Sequence, residues 1–253
     1  VQPTEDNAPK TVIRLAAAGD LNVTPKLTES GGLMLDYTET FMDVLPLMAE
    51  SDLTVLNLEG NVCGAPYGTE TLSAPQQLLE ALKNAGVDVL QMANSCAINN
   101  GLNGLTATLN AIRGAGMEPL GAYATASELR SSKGYTITEV HGVKVAFVAF
   151  TKGLGGRGMP AGNENLVNLL YTDYATEYKE IDKDRITEIL KNVETEKPDL
   201  TVALLHWGSE YSDVHSATQD SIRKLMLREG VDAIIGSHPH YVQEMTFDAE
   251  AGT

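Results

Sequence analysis

Short apolar runs that each stop at a polar residue, with helix-like stretches between them, constrain this chain more than any other sequence feature. Leu53–Leu58 (LTVLNL) is closed by Glu59, Leu200–Leu205 (LTVALL) by His206, and Ala233–Ile235 by Gly236-Ser237 and then His238-Pro239-His240. Thr11–Ala18 leads into Gly19-Asp20, and Val87–Met92 into Ala93-Asn94. Apolar runs this short, rich in β-branched residues, read as buried strands. Between them, Tyr37–Glu50, Pro75–Ala85, Leu102–Ala115, Tyr174–Glu196 and Ala217–Glu229 carry helical spacing or helix punctuation. Strands alternating with helices argue an α/β fold. His141-Gly142 between Tyr135–Val140 and Val143–Phe150 signals a hairpin, so antiparallel pairing enters and the β-sheet is mixed. Glu118–Gly121 and Tyr241–Phe247 are expected as further strands.

The polar residues that close these runs share one address. Asp20, Glu59, Asn94, His206, His238 and His240 each fall at or just after the predicted C-terminal end of a strand, where open α/β sheets bind ligands. His238 and His240 lie two apart, which in an extended segment sends both rings to one side. Pro239 between them fixes one backbone torsion. Two carboxylates, up to two amides and three imidazoles make a mixed nitrogen and oxygen set. Such a set suits a divalent Mn, Zn or Fe better than Ca or Mg, and it is large enough for two ions sharing one carboxylate. Taken singly, Asp20 also reads as a turn residue or helix cap, Asn94 as a turn amide, and His206 as a core histidine.

With a net charge of −16, the chain is a poor candidate for binding nucleic acid, whose phosphates call for basic patches. Bound cations would still let an acidic chain take an anionic substrate. Two cysteines are too few for a disulfide scaffold. No apolar run approaches the length of a membrane span. Residues 1–10, polar and Pro-containing, read as a tail or linker, and 11–253 as one domain. Gly153-Leu154-Gly155-Gly156-Arg157-Gly158 fits a dinucleotide-binding pattern, but Met159-Pro160 follows where that site needs a helix. The stretch reads instead as a loop over the site, with Arg157 at its tip.

Several motifs together resemble the capsule-synthesis family of the poly-γ-glutamate (CapA) type, which is related to calcineurin-like metallophosphoesterases. They are Ala18-Gly19-Asp20, Asp52 to Gly60 with its NLEG, Val87 to Asn94, Gly101 to Leu109, Leu205 to Tyr211 with HWGSEY, Gln219, and Gly236 to His240 with Gln243. The resemblance implies a metallophosphoesterase-like four-layer αββα sandwich with mixed β-sheets and a metal site at one edge. It implies Asp20 and His240 on one metal, His206 and His238 on a second, and Glu59 between them. Asn22, Asn94 and Ser95 are further candidate ligands. It also implies a bacterial protein working outside the cell or at its surface on an N-terminal anchor. Its partners would be an anionic polymer or phosphoester substrate and other capsule-synthesis proteins at the membrane. The family pattern normally continues beyond Gln243.

The chain departs from that pattern at one loop. Ser95 stands where the family carries a second amide, and Cys96 where it carries a histidine that would protonate a leaving group. Asn99 stands where the family has an Asp. At the first motif, the related phosphoesterases carry Asp-x-His and this chain carries Asp20-Leu21-Asn22. Two functions stay open: a metal-dependent hydrolase of phosphoester or related bonds, or a weakly catalytic or non-catalytic component that binds an anionic polymer. If the second and third strands are neighbours, Cys63 and Cys96 leave the same rim. They are then either a disulfide, which an extracellular location permits, or two free thiols.

Overall fold

The computed structural model describes residues 11–68 and 72–247. The expected tail, residues 1–10, lies outside them. The strands are β1 (Leu15–Asn22), β2 (Leu53–Glu59), β3 (Val89–Gln91), β4 (Glu118–Leu120), β5 (Thr136–Val140), β6 (Val143–Thr151), β7 (Leu200–His206) and β8 (Ala233–Ser237). The α-helices are α1 (Pro25–Ser30), α2 (Leu45–Ala49), α3 (Gln77–Asn84), α4 (Gly101–Gly114), α5 (Ala126–Ser132), α6 (Lys183–Glu196) and α7 (Ala217–Arg228). β1-β2-β3-β4 form one sheet, parallel throughout. β5-β6-β7-β8 form the other; β5 runs antiparallel to β6, and the remaining pairs are parallel. The expected α/β sandwich holds, with the mixing confined to the second sheet.

Side-chain alternation in the second sheet sets the layering. Val145, Phe147 and Ala149 of β6, with Val202 and Leu204 of β7, belong to the core shared with the first sheet and with α3 and α4. The intervening Ala146, Val148, Phe150, Ala203 and Leu205 pack with Ile186, Ile189 and Leu190 of α6 and Ile222 and Met226 of α7. A period of two thus splits each strand between two cores, giving helices, sheet, sheet, helices. Each large apolar side chain so buried contributes roughly 1.5–3 kcal/mol. At Gly121 the two sheets pack tightly: it holds φ +82°, and a Cβ there would stand 2.7 Å from the Ala93 Cβ and 3.0 Å from the Ala149 carbonyl oxygen.

Some expected elements change. β1 begins later than Thr11 and runs on through Asp20 to Asn22, with a register shift between Ala17 and Asp20. The predicted Tyr37–Glu50 helix is a 3₁₀ turn at Thr38–Phe41 followed by the short α2, which Pro46 opens rather than continues. Asp36 accepts the Thr38 N–H and Tyr37 buries its ring, donating its hydroxyl to the Thr28 carbonyl, so the chain turns here. The long helix expected from Tyr174 begins only at Lys183. Before it, the Asp173 carboxylate accepts the N–H groups of Lys179 and Glu180, closing a loop, and Asp182 then caps the helix. Tyr241–Phe247 forms no strand: its residues are largely exposed, and β8 pairs only with β7. No helix among the described residues is long and apolar enough to cross a membrane.

Candidate metal centre

The ends of β1, β2, β7 and β8 meet where the two sheets converge. The sheets are joined there by a bond from the His238 N–H to Asp20 Oδ2, 2.9 Å long. On β2, Asn57 and Glu59 are two apart and so share a face. Asn57 is buried; its Nδ2 donates to Asp20 Oδ1 at 2.7 Å and lies 3.3 Å from His206 Nδ1. Its Oδ1 accepts from Asn94 Nδ2 at 2.9 Å. Asn57 therefore ties three expected site residues together, and sequence reasoning missed it. The available signal was an amide two residues before Glu59 inside an otherwise apolar run.

His206 is fully buried. Its Nε2 is 2.8 Å from Ser95 Oγ and 3.4 Å from Glu59 Oε1, and its Nδ1 is 3.2 Å from Ser237 Oγ and 3.6 Å from Asp20 Oδ1. The His206 and His238 ring centroids are 4.5 Å apart, and those of His238 and His240 6.2 Å. His240 Nδ1 lies 3.7 Å from Asp20 Oδ2. The histidine pair does reach one place, but not by the extended geometry expected for it. His238 holds φ +94° and His240 φ +52° in a bend after β8. Left-handed backbone at non-glycine residues costs energy and concentrates at functional sites. Tyr211 braces the bend: its N–H donates to the Pro239 carbonyl at 2.7 Å, and its ring stands 5.7 Å from that of His240.

The donor atoms fall into two groups, Asp20, Glu59 and His240, and Glu59, His206 and His238. Within each group they lie within 4.8 Å of one another, and Glu59 belongs to both. Glu59 Oε2 and His238 Nδ1 are buried without any hydrogen-bond partner among the described residues. An unsatisfied buried polar atom costs roughly 1–3 kcal/mol, so two in one cluster need an explanation. A divalent cation fits this nitrogen and oxygen donor set.

The local electrostatics favour acceptor-ready ligands. Burial, then the His206 and Lys152 charges, hold His238 down at about 3, so it is neutral at physiological pH. Burial pulls His206 down too, but the Asp20 and Glu59 carboxylates more than offset this and raise it. Burial pushes Asp20 up, yet His206, Asn57 and the His238 N–H keep it below the usual carboxylate range. Cys96 is pushed up to about 12, first by burial and then by the Glu59 charge, so it stays a thiol.

Among the secondary candidates, Asn94 braces the cluster. Its Nδ2 donates to Asn57 Oδ1 and to the Leu58 carbonyl, and its Oδ1 accepts the Cys96 N–H. Ser95 enters the cluster through His206, and Asn22 lies beside Glu59 in the β1–β2 register. The expected adjacency of β2 and β3 holds, but Cys63 and Cys96 are free thiols. Cys63 Sγ turns to Ser73 Oγ at 3.5 Å, and Cys96 Sγ to Glu59 Oε1 at 3.9 Å.

Comparison with known proteins points the same way. The family described as bacterial capsule synthesis protein PGA_cap matches residues 14–251. The capsule biosynthesis protein CapA of Bacillus anthracis is 31% identical over 172 residues, 68% of this chain and 39% of that protein. The PGA biosynthesis protein CapA of Bacillus subtilis (strain 168) is 27% identical over 240 residues, 92% of this chain and 58% of that protein. The chain thus spans between about two fifths and three fifths of these relatives' lengths. A 5′-nucleotidase precursor from Thermus thermophilus shares the fold at TM-score 0.50 and 15% identity, over 94% of this chain and 44% of that one.

Proposed function

The chain belongs to the bacterial capsule synthesis (PGA_cap) family, and from that membership and its buried cluster we propose a metal-binding component of capsule-polymer synthesis. Asp20, Glu59 and His240 would hold one divalent cation, and Glu59, His206 and His238 a second, with Mn, Zn or Fe favoured by the mixed donors. The observation that carries this reading is the pair of partnerless buried atoms, Glu59 Oε2 and His238 Nδ1, inside the cluster whose groups share Glu59. The polymer would be anionic, of the poly-γ-glutamate kind. The chain would work outside the cell or at its surface beside other capsule-synthesis proteins.

A cation held there supplies Lewis acidity toward a phosphoryl or carbonyl oxygen. The chain's own residues set what else is available. Asn57 orients Asp20 and His206 at once. The Asp20 carboxylate fixes the His238 backbone, which sets the bend that carries both histidines. At neutral pH the Cys96 thiol neither ionises nor gives up a proton readily, so it is a poor general acid. Strong metal binding with weak turnover follows.

The retained Asp20, Glu59 and three histidines also support a second reading, an active metal-dependent phosphoesterase. Titration of Mn²⁺ into chelator-treated wild type and Glu59→Ala tests the metal site, since the shared carboxylate belongs to both groups. The variant should lose at least about 100-fold in affinity, beyond the roughly 10–100-fold effect of outer-shell changes. Equal binding by both proteins rules the site out. Bis-p-nitrophenyl phosphate turnover with Mn²⁺ separates the readings: robust wild-type turnover abolished by Asp20→Ala establishes the hydrolase.

A further inference from the structure

The glycine-rich loop after β6 places a cation at the rim of this cluster. Lys152, at the end of β6, anchors it through its N–H to the His206 carbonyl and its Nζ to the Gly208 carbonyl at 2.6 Å. Arg157 closes a turn by donating its N–H to the Leu154 carbonyl. Gly155, at φ +61°, fills the space between the loop and the site. A Cβ there would stand 3.1 Å from Arg157 Nη1 and 3.2 Å from the Ser95 carbonyl oxygen. The guanidinium and Ser95 are therefore neighbours across one glycine, and Ser95 Oγ is the group bonded to His206 Nε2. The Arg157 charge is also felt at Cys96, whose thiol faces Glu59.

Arg157 is exposed, and among the described residues it makes no ion pair. Glu59 is buried, with Cys96 Sγ 3.9 Å from its Oε1. A guanidinium set beside the Ser95-Cys96 loop offers a planar fork of donors to an incoming anion, and that fork matches carboxylate and phosphoryl oxygens.

We propose that Arg157 is a specificity-determining residue of this site, binding the anionic oxygens of the substrate beside the Ser95-Cys96 loop. The proposal rests on reading the cluster as a metal site that faces a substrate. Phosphoryl and carboxylate groups present the same paired oxygens, so two probes separate them: inorganic phosphate and a γ-linked glutamate tetramer. Each is titrated calorimetrically into wild type, Arg157→Ala and Arg157→Lys, with Mn²⁺ and after chelator treatment, while Mn²⁺ is titrated alone in parallel.

Arg157→Ala should weaken the probe that binds by about tenfold, the scale of one charge-assisted pair. Arg157→Lys should recover part of the loss, because lysine keeps the charge and lacks the fork. Mn²⁺ affinity should not change in either variant. Wild-type and Arg157→Ala proteins binding both probes equally, or neither probe binding wild type, overturns the assignment. Failure of wild type to bind Mn²⁺, with Arg157-dependent probe binding retained, strikes the metal reading and leaves this one standing.

Discussion

The two flanks of the cluster differ in what they keep. The second sheet contributes His206 from the end of β7 and the His238–His240 bend after β8, three imidazoles brought together by a strained turn that Tyr211 braces. The first sheet contributes Asp20, Asn57 and Glu59, but its loop after β3 carries Ser95 and Cys96, where the resemblance implies a second amide and a histidine. The second-sheet flank supplies the imidazoles and the first sheet the carboxylates of both donor groups, while the loop after β3 carries a thiol that is a poor proton donor at neutral pH. On the proposed reading, holding a cation and delivering a proton would be separable, because neither donor group includes a residue of the Ser95-Cys96 loop.

The largest effect should come from repairing the altered flank. Ser95→Asn combined with Cys96→His should raise bis-p-nitrophenyl phosphate turnover with Mn²⁺ by roughly 10²–10⁴-fold, the range of general acid–base catalysis. No gain, with Mn²⁺ affinity intact, would break the comparison by showing that the loop is not what limits catalysis. A smaller effect should come from the residue that links the flanks. Asn57→Leu removes the donor that orients Asp20 and His206, and should weaken Mn²⁺ binding by roughly 10–100-fold while circular dichroism stays unchanged. Unchanged affinity would mean that the two flanks hold their positions independently.

Asn57 also shows where the sequence stopped being legible. Residues that end a run stood out: Glu59, His206 and the His238–His240 pair each follow apolar positions, so their common rim could be read from spacing alone. Asn57 lies within LTVLNL, where an apolar run hides one amide unless the period of two is followed back from Glu59. The strands β2, β6 and β7 were readable because both their faces are largely buried and their sequences are predominantly apolar. Two of the segments misread as elements are interrupted by local chemistry. Asp173 ties up two N–H groups before α6, and Asp36 and Pro46 interrupt the stretch around α2. The histidine bend was misread for another reason: contact with Asp20 and Tyr211, remote in sequence, stabilises a backbone that local preference disfavours.

The smallest effect concerns protons. His206 is raised above its ordinary value, so below that raised value a cation must displace its proton, and Mn²⁺ affinity should rise with pH until His206 is neutral. His238, held at about 3, is already neutral and adds no pH dependence above about pH 4. Calorimetry of His240→Ala, in which His206 and His238 are the imidazoles left in the donor groups, in buffers of different ionisation enthalpy should therefore find about one proton released per chain below the raised His206 value. Release of two would show that both imidazoles start charged and that the second-sheet flank is less prepared for metal than its geometry indicates.

Anomalous diffraction from crystals of the chelator-treated protein soaked in Mn²⁺ tests the central claim most directly. The account predicts a peak bounded by Glu59, His206 and His238, or one bounded by Asp20, Glu59 and His240, or both, with Glu59 Oε2 or His238 Nδ1 turned onto an ion. Peaks confined to surface carboxylates, with Glu59 Oε2 and His238 Nδ1 still without a partner, would contradict it.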